Sequence, residues 1–309
     1  MHLDLDLDLT VAGLLVGFLV GLIGMGGGAL LTPLLVLFFR IAPLAAIASD
    51  LLTSLVMMPI GAAVHLRCRT VDWRLVRWLA VGSVPAAFAG AMLIGSIGHI
   101  PGVQADLKLA IGIALCVSVG MTLARQVLDR RASRQGELQS DHVDRPPVVH
   151  PLRTIAIGVI GGFAVGMTSV GGGSLVIGLL LITYPRQLRP AQLAGTGLVQ
   201  AIPLVATATV GHLLLGDVHV DAATSLLFGA LPGVYLGARL CTRSPAAVIR
   251  PLIVAVLLAS GLALLKVPAP LMIAAAGAGL VATVFLRVPQ PRAEPVLQPN
   301  IADVEVASE

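Results

Sequence analysis

This chain of 309 residues has few charged residues, few aromatic residues and few cysteines. Charged residues make up 12% of the chain, whereas soluble domains have about 25%. Aromatic residues make up 4%, too few for a base-stacking surface, which argues against nucleic-acid binding despite the net charge of +4. Cys68, Cys116 and Cys241 lie far apart and form no CxxC pair. The sequence therefore predicts no metal site, no redox centre and no cofactor.

Apolar sequence is abundant instead. Hydrophobic residues make up 57% of the chain, and the mean hydropathy is +0.95. Many apolar runs reach roughly the 20 residues that cross the hydrocarbon core of a bilayer. The basic residues lie in short loops between these runs, as membrane topology requires. The sequence therefore predicts an integral membrane protein whose surroundings are the lipid bilayer.

Two stretches of the chain are copies of one another, and each contains three consecutive glycines inside an apolar run. They read GLLVGFLVGLIGMGGGALLTPLL and, about 145 positions later, GVIGGFAVGMTSVGGGSLVIGLL. Beyond them the shift becomes 147, and His65 then matches His212 while Pro85 matches Pro232. Matches of His and Pro do not follow from hydrophobic composition, so the chain is predicted to be an internal duplication. Paired breaks of this kind are the best sequence indication of a transporter's binding site.

The duplication predicts an all-α polytopic membrane protein with an ordered set of segments. An acidic leader (1–9) precedes the first transmembrane repeat (10–125), a cytoplasmic linker (126–152) and the second transmembrane repeat (153–265). An extra C-terminal transmembrane helix (266–286) and a polar tail (287–309) follow. Seven full spans are predicted, at about Leu44–Val64, Leu75–Ile97, Ala105–Arg125, Ala191–Leu214, Ala222–Cys241, Ile249–Leu265 and Ala269–Leu286.

The glycine-broken segments are predicted to be two re-entrant helical hairpins. Their arms are Thr10–Gly24 with Ala29–Phe38, and Thr154–Ser169 with Ser174–Thr183. An arm of ten residues is about 15 Å long, which is half the thickness of the hydrocarbon core. The alternative, in which each segment crosses the membrane completely, remains open from the sequence.

Charge in the loops predicts the orientation of the two repeats. Arginines concentrate between Arg67 and Arg77 and in the central linker, which places both on the cytoplasmic side. The loop that corresponds to the first of these in the second repeat contains Asp217 and Asp221 and is predicted to lie outside. The two repeats would then be inverted in the membrane, with the N-terminus outside and the C-terminus in the cytoplasm.

The glycine tracts indicate a binding site at the membrane midplane. Consecutive glycines let the backbone leave the helix and approach a ligand closely. The first N–H groups of the helix that follows have no intrahelical partner and carry the positive end of its dipole, so they can bind an anion. These candidate substrate-binding residues are Gly26, Gly27, Gly28, Ala29, Gly171, Gly172, Gly173 and Ser174. The outer glycines of the Gly-x-x-x-Gly patterns are instead predicted to pack helices closely.

Other polar residues inside the apolar runs are further candidates. Asp50 is the only acid well inside a predicted span, and an acid in a membrane is by default functional. We predict that Asp50, His65 or His212 carries a coupled proton, the alternatives being a shallow cap for Asp50 and interfacial helix ends for the histidines. Thr53, Thr196 and Gln200 are candidate donors to the substrate, although the threonines could equally bond to their own helices.

The pattern G-x-x-x-G-x-G-G-G, followed by a short apolar run with Pro33 and duplicated in a small polytopic protein, resembles the sulfite exporter TauE/SafE family of permeases. The resemblance covers about Thr10 to Leu286. It implies export or uptake of sulfite, sulfonates and related organic anions across the bacterial inner membrane. Distant relatives take up thiosulfate with the help of cysteines, but here Met25 and Val170 precede the glycines, which argues against that activity. The second repeat has Gly178 where the first has Pro33.

The sequence therefore predicts a secondary transporter of small anions, with sulfite or organosulfonates as the expected substrates. Two alternatives use the same site, namely an anion channel and a transporter of another small organic anion. An enzyme or assembly factor is disfavoured, because the sequence has no HExxH motif, no nucleophile elbow and no paired carboxylates. The direction of transport, the coupling ion and the oligomeric state do not follow from the sequence.

Overall fold

A computed structural model describes residues 6–23, 28–67, 69–98, 100, 102–134, 149–170, 174–184, 190–215, 220–241 and 246–286. These residues form eleven α-helices and no strand. The helices are α1 (Leu7–Ile23), α2 (Gly28–Leu37), α3 (Pro43–Arg67), α4 (Trp73–Ile97), α5 (Val103–Arg134), α6 (Pro151–Thr168), α7 (Ser174–Thr183), α8 (Pro190–Leu214), α9 (Val220–Cys241), α10 (Ala246–Leu264) and α11 (Ala269–Phe285).

Five of the described helices are long and apolar enough to cross a membrane. The qualifying stretches are Pro43–Ile60, Trp73–Ile97, Val103–Ala124, Pro151–Thr168 and Gly195–Leu214. Shorter apolar helical stretches cover Leu7–Val20, Ala223–Gly237, Pro251–Leu264 and Ala269–Phe285. The expectation of an all-α polytopic membrane protein is met at this level.

Several helices begin or end away from their predicted limits, for local reasons. Asp6 accepts hydrogen bonds from the backbone N–H groups of Asp8 and Leu9, so it caps α1. The helix therefore begins at Leu7, three residues before the predicted start at Thr10. Helix α5 continues to Arg134, nine residues beyond the predicted end of its span at Arg125. Arg130 in this extension donates to the backbone carbonyl of Phe285 at the end of α11.

Small residues allow two pairs of helices to pack backbone to backbone. Helix α1 lies along α9, where a Cβ atom built on Gly13 would come within 2.4 Å of the Leu226 carbonyl oxygen. Helix α6 lies along α4, where a Cβ atom on Gly158 would come within 2.4 Å of the Leu79 carbonyl oxygen. These glycines pack helices as predicted. The second contact is the first one repeated in the other half of the chain, because the residues correspond under the shifts of 145 and 147 positions.

Helices α3 and α8 form the centre of the bundle. In their membrane-spanning stretches 72% and 61% of the residues are buried, a larger share than in the other three spanning stretches. The main hydrophobic core surrounds them, with Leu31 and Leu35 from α2, Ile47 and Leu51 from α3 and Ile111 from α5 among its fully buried members. A polar side chain on the inner face of α3 or α8 is therefore removed from both lipid and bulk water.

Candidate functional site

Two short helices begin where the glycine tracts end. Helix α2 starts at Gly28 and helix α7 starts at Ser174, and each has ten residues. Residues 24–27 and 171–173 lie outside the described residues, so the predicted roles of Gly26, Gly27, Gly171, Gly172 and Gly173 are not tested. The same holds for the side chain of Ser174. Ala29, in the first turn of α2, is partly buried.

The carboxylate of Asp50 lies between the residues that flank the two tracts. Asp50 is fully buried. Its Oδ2 atom accepts a hydrogen bond of 2.5 Å from the hydroxyl of Thr32, one turn into α2. The same atom accepts a hydrogen bond of 2.9 Å from the hydroxyl of Ser169, which lies two residues before the second tract. The Oδ1 atom of Asp50 accepts a hydrogen bond of 3.2 Å from the hydroxyl of Ser54, which lies on α3 with Asp50. We call these four residues the Asp50 cluster.

Ser169 adopts a backbone conformation that turns the chain out of helix α6. Its φ angle is +57°, in the left-handed region, and its backbone N–H still donates to the Val165 carbonyl at 2.7 Å. A non-glycine residue in this region commonly marks a helix end or a functional site. Here the turn ends α6 and directs the Ser169 hydroxyl to Asp50. The predicted alternative for Asp50, a shallow residue that caps a helix, does not match its place in the second turn of α3 at full burial.

Thr32 and Ser169 were not among the residues singled out from the sequence. A signal was present, because each is a hydroxyl residue within four positions of a glycine tract inside an apolar run. Their partner, however, comes from a third segment of the chain. Nothing in the spacing of Thr32, Asp50 and Ser169 predicts that the three meet.

The other candidate donors lie on α3 and α8, and their described hydrogen bonds go to residues outside the Asp50 cluster. The Thr53 hydroxyl donates to the Ser49 carbonyl of its own helix at 2.8 Å, the alternative that the sequence left open. Thr196 Oγ1 accepts a 3.0 Å hydrogen bond from the backbone N–H of Asp72 at the start of α4. The Gln200 side-chain amide donates to Ser83 Oγ at 2.7 Å.

Two buried polar atoms, one on α3 and one on α8, lack a described hydrogen-bond partner. Ser49 Oγ and Gln200 Oε1 are buried, and neither has a hydrogen-bond partner among the described residues. A buried polar atom without a partner costs free energy, so it is often a place where a ligand or water binds. Gln200 Oε1 and Ser49 Oγ are therefore places where a ligand or water can bind, and the sequence did not indicate Ser49.

The two histidines have different outcomes. His212 is buried in the last turn of α8, and its Nε2 atom lies 3.1 Å from the carbonyl oxygen of Gly166 in α6. The side chain of His65 lies outside the described residues. His212 therefore contacts α6 three residues before Ser169, and it makes no described hydrogen bond to the Asp50 cluster.

The charge of the buried region is limited to one group. Among the residues whose burial is described, the buried polar and charged side chains include Asp50 and no lysine or arginine. In the same part of the chain no three His, Cys, Asp or Glu residues are grouped to hold a metal ion. An anion near the Asp50 cluster would therefore depend on hydroxyl and amide donors, as at other anion sites built on helix N-termini.

Comparisons with known proteins agree with this architecture. Residues 9–264 match the family model described as sulfite exporter TauE/SafE. The probable membrane transporter protein YjnA of Bacillus subtilis is 34% identical over 265 residues, which cover 84% of this chain and 100% of that protein. YunE of the same organism is 26% identical over 74% of this chain and 86% of its own length. MJ0441 of Methanocaldococcus jannaschii, also a probable membrane transporter, is 25% identical over 74% of this chain and 82% of its own. No solved structure matches the chain significantly.

Proposed function

Because this chain belongs to the sulfite exporter TauE/SafE family of membrane transporters, we propose that it is a secondary transporter of small anions with sulfite and organosulfonates as its substrates. The substrate binds at the two glycine tracts, where backbone N–H groups at the starts of α2 and α7 hold it. The observation that carries the proposal is the Asp50 cluster. It brings Thr32, four residues after the first tract, and Ser169, two residues before the second, onto one carboxylate oxygen.

We further propose that the second glycine-broken segment is a re-entrant hairpin. A Cβ atom built on Gly161 in α6 would come within 2.5 Å of Val176 Cγ2 in α7. If α6 and α7 formed one continuous helix, 15 positions would separate the two residues by about 22 Å. The contact therefore supports an α7 that folds back along α6. By the duplication, α1 and α2 form the equivalent hairpin.

The packing of α5 and α10 supports repeats that are inverted in the membrane. These helices occupy equivalent positions in the two halves. Their contacts pair Gly112 with Leu265 and Cys116 with Gly261, so the numbers rise in one helix as they fall in the other. The two helices therefore run antiparallel. Equivalent helices of repeats with the same orientation would run parallel across the bilayer, whereas inverted repeats require opposite directions.

Inverted repeats give alternating access a simple physical basis. The first hairpin packs on α9 of the other half, and the second packs on α4. Each proposed hairpin therefore packs on a helix of the other repeat. Tilting one repeat against the other changes which side of the site is open while the binding groups stay together. We propose a bacterial inner membrane location with the N-terminus outside and the C-terminus inside.

The proposal is tested by uptake into proteoliposomes that contain the purified full-length chain. Labelled sulfite, methanesulfonate, sulfate and acetate are compared, with and without a pH gradient. We expect uptake of sulfite or methanesulfonate at a rate that saturates with concentration. Gly27→Val and Gly172→Val should abolish it, because valine disfavours the backbone conformations open to glycine.

The matched control for these variants is Gly277→Val in α11. A Cβ atom at Gly277 meets nothing within 4 Å, so this variant should transport at the wild-type rate. Transport by Gly27→Val and Gly172→Val at that rate would refute the proposed binding site. Single-channel currents in voltage-clamped bilayers would favour the anion channel instead, and saturating uptake of acetate alone would favour a carrier of other organic anions.

A further inference from the structure

The Asp50 cluster holds its hydroxyl groups in a way that conflicts with anion binding. An ionised carboxylate only accepts hydrogen bonds. With Thr32 and Ser169 both donating to Oδ2, these hydroxyls are turned toward Asp50. Thr32 lies four residues after the first tract, and Ser169 lies two residues before the second. In this arrangement they are not available to a substrate anion.

The second conflict is electrostatic. Two negative charges held about 4 Å apart in a poorly solvated region repel each other strongly, enough to weaken binding by roughly 1,000-fold at an effective dielectric constant of about 20. No buried lysine or arginine is present among the residues whose burial is described. The conflict therefore has to be removed at Asp50 itself or by a change in its surroundings.

Few ionisable groups surround Asp50. Helix α2 has none, α6 has only Arg153 in its exposed first turn, and α8 has only His212, which contacts Gly166. Asp106 and Lys108 on α5 and Tyr235 on α9 are exposed. The remaining ionisable residues of the helices packed on α3 are Cys116, Arg125, Asp129, Arg130, Arg131 and Arg134 on α5, and Asp221, Arg239 and Cys241 on α9. The described side-chain hydrogen bonds to Asp50 come from hydroxyl groups alone.

We propose that Asp50 takes up one proton with each anion that the protein carries, and that this proton releases one of the Thr32 and Ser169 hydroxyls to the anion. The proposal rests on the proposed function and names its coupling ion. Asp50 is chosen because its described hydrogen bonds reach residues beside both tracts.

A proton from one aqueous side binds Asp50 Oδ2, which then donates a hydrogen bond to the oxygen of Thr32 or Ser169. The hydroxyl hydrogen of that residue, no longer directed at Asp50, turns to an oxygen of the anion. After the site opens to the other side, the anion leaves and the proton leaves Oδ2. One proton and one monovalent anion cross together, so no net charge moves.

The test uses methanesulfonate, because a sulfonate stays ionised throughout the working pH range and any proton that moves belongs to the protein. If the anion panel shows sulfite exchange only, sulfite is used with a pH-sensitive dye inside the liposomes. Two quantities are measured for the full-length chain. One is exchange of labelled for unlabelled anion without a gradient, and the other is accumulation driven by a gradient of about two pH units.

We expect wild-type protein to accumulate the anion roughly tenfold or more under the pH gradient, with no dependence on a potassium–valinomycin potential. Asp50→Asn imitates the protonated carboxyl, so it should keep measurable exchange at a reduced rate and accumulate no anion. Asp50→Glu should keep both activities in part. Thr209→Val is the control, because the Thr209 hydroxyl is buried and donates only to the Val205 carbonyl of its own helix among the described bonds.

Each other outcome decides against the proposal or restores it. Accumulation by Asp50→Asn equal to that of wild type, or wild-type accumulation that follows voltage and not pH, overturns it. Asp50→Asn could also exchange no anion. In that case, if Asp50→Glu still accumulates anion under the pH gradient, the proposal is supported. If both variants are inactive while Thr209→Val is active, Asp50 has a structural role and the proposal is overturned. Wild-type protein without exchange of any panel anion overturns the proposed function as well, whereas exchange without pH coupling overturns this proposal alone.

Discussion

The hydroxyl of Ser169 donates a hydrogen bond of 2.9 Å to Oδ2 of Asp50, although 119 positions separate the two residues in the chain. This bond joins the second half of the molecule to the first at a place buried from both lipid and water. It also fixes the end of α6, where the chain enters the second glycine tract. The predictions below concern this bond, the packing of the helices around it and the orientation of the two halves.

Replacing Ser169 with alanine should weaken both stability and substrate binding. The variant loses one interhelical hydrogen bond, and such bonds in membrane proteins contribute about 0.6 kcal/mol on average. We expect a fall of a few degrees in the thermal unfolding midpoint in detergent and a severalfold higher KM for anion uptake. Ser169→Gly also lacks the hydroxyl but adopts a positive φ without strain, so it should lose as much affinity as Ser169→Ala. An unchanged KM in Ser169→Ala would contradict a role for this hydroxyl in binding.

Enlarging the glycines at the two backbone contacts should damage folding to a similar degree in each half. A Cβ atom on Gly17 would come within 2.4 Å of the Ala230 carbonyl oxygen, and one on Gly162 within 2.3 Å of the Ser83 carbonyl oxygen. Gly17→Leu and Gly162→Leu should therefore both reduce the yield of monodisperse protein severalfold, as measured by size-exclusion chromatography. Gly120→Leu is the control, since a Cβ atom there meets nothing within 4 Å. A normal yield for either contact variant would argue against the close packing.

A disulfide should form between cysteines placed at positions 161 and 176. The pair Gly161→Cys with Val176→Cys, in a background with the native cysteines replaced by serine, tests the fold-back of α7 along α6. Mass spectrometry of the digested protein should detect the crosslink after mild oxidation. Gly161→Cys with Ile182→Cys is the negative control, because Ile182 lies at the far end of α7 and is exposed. A crosslink in the control pair alone would contradict the hairpin.

Labelling from outside the cell should distinguish the two orientations of equivalent loops. In the cysteine-free background, Ser96→Cys and Leu215→Cys should react with a membrane-impermeant maleimide in intact cells. Arg69→Cys and His150→Cys should react only after the membrane is permeabilised. Arg69 and Leu215 occupy almost equivalent places, after α3 and after α8. If both react from the same side, the repeats are not inverted.

Replacing Gln200 with methionine should separate stability from binding. Methionine fills a similar volume and removes the buried Oε1 atom that has no described partner. Removing this unpartnered buried atom is stabilising and should offset the loss of the hydrogen bond to Ser83, so that thermal stability changes little. We expect the KM for anion uptake to rise severalfold. A marked fall in stability with an unchanged KM would show that Gln200 serves the packing of α4 on α8.

Much of the fold follows from local features of the sequence. Apolar runs with few charges predict helices in a membrane, and the helices lie close to their predicted positions, with shifts of about three residues at α1 and nine at α5. Helices α2 and α7 begin at Gly28 and Ser174, within one residue of their predicted starts, and each has the predicted ten residues. The duplication could be predicted from the sequence because Gly, Pro and His recur at shifts of about 145 and 147 positions.

The site was predictable only in part, and the reason lies in which interactions are local. Asp50 stood out because a carboxyl group inside an apolar run is costly wherever the chain folds. Its partners did not stand out. Thr53 was chosen because it is close to Asp50 in sequence, but its hydroxyl bonds to its own helix at Ser49. Thr32 and Ser169 make the contacts instead, and both come from other helices.

The sequence by itself determined that this is a duplicated, helical membrane protein of the TauE/SafE family with an isolated acid in its third helix, because hydropathy, repeat spacing and motif are properties of the chain read in order. Only the tertiary structure decided that Thr32 and Ser169 share one oxygen of that acid. Such a contact depends on how α2, α3 and α6 pack, and helix packing depends on the shapes of surfaces that distant segments bring together. Hydrogen bonds between those segments leave no pattern in the spacing of their residues.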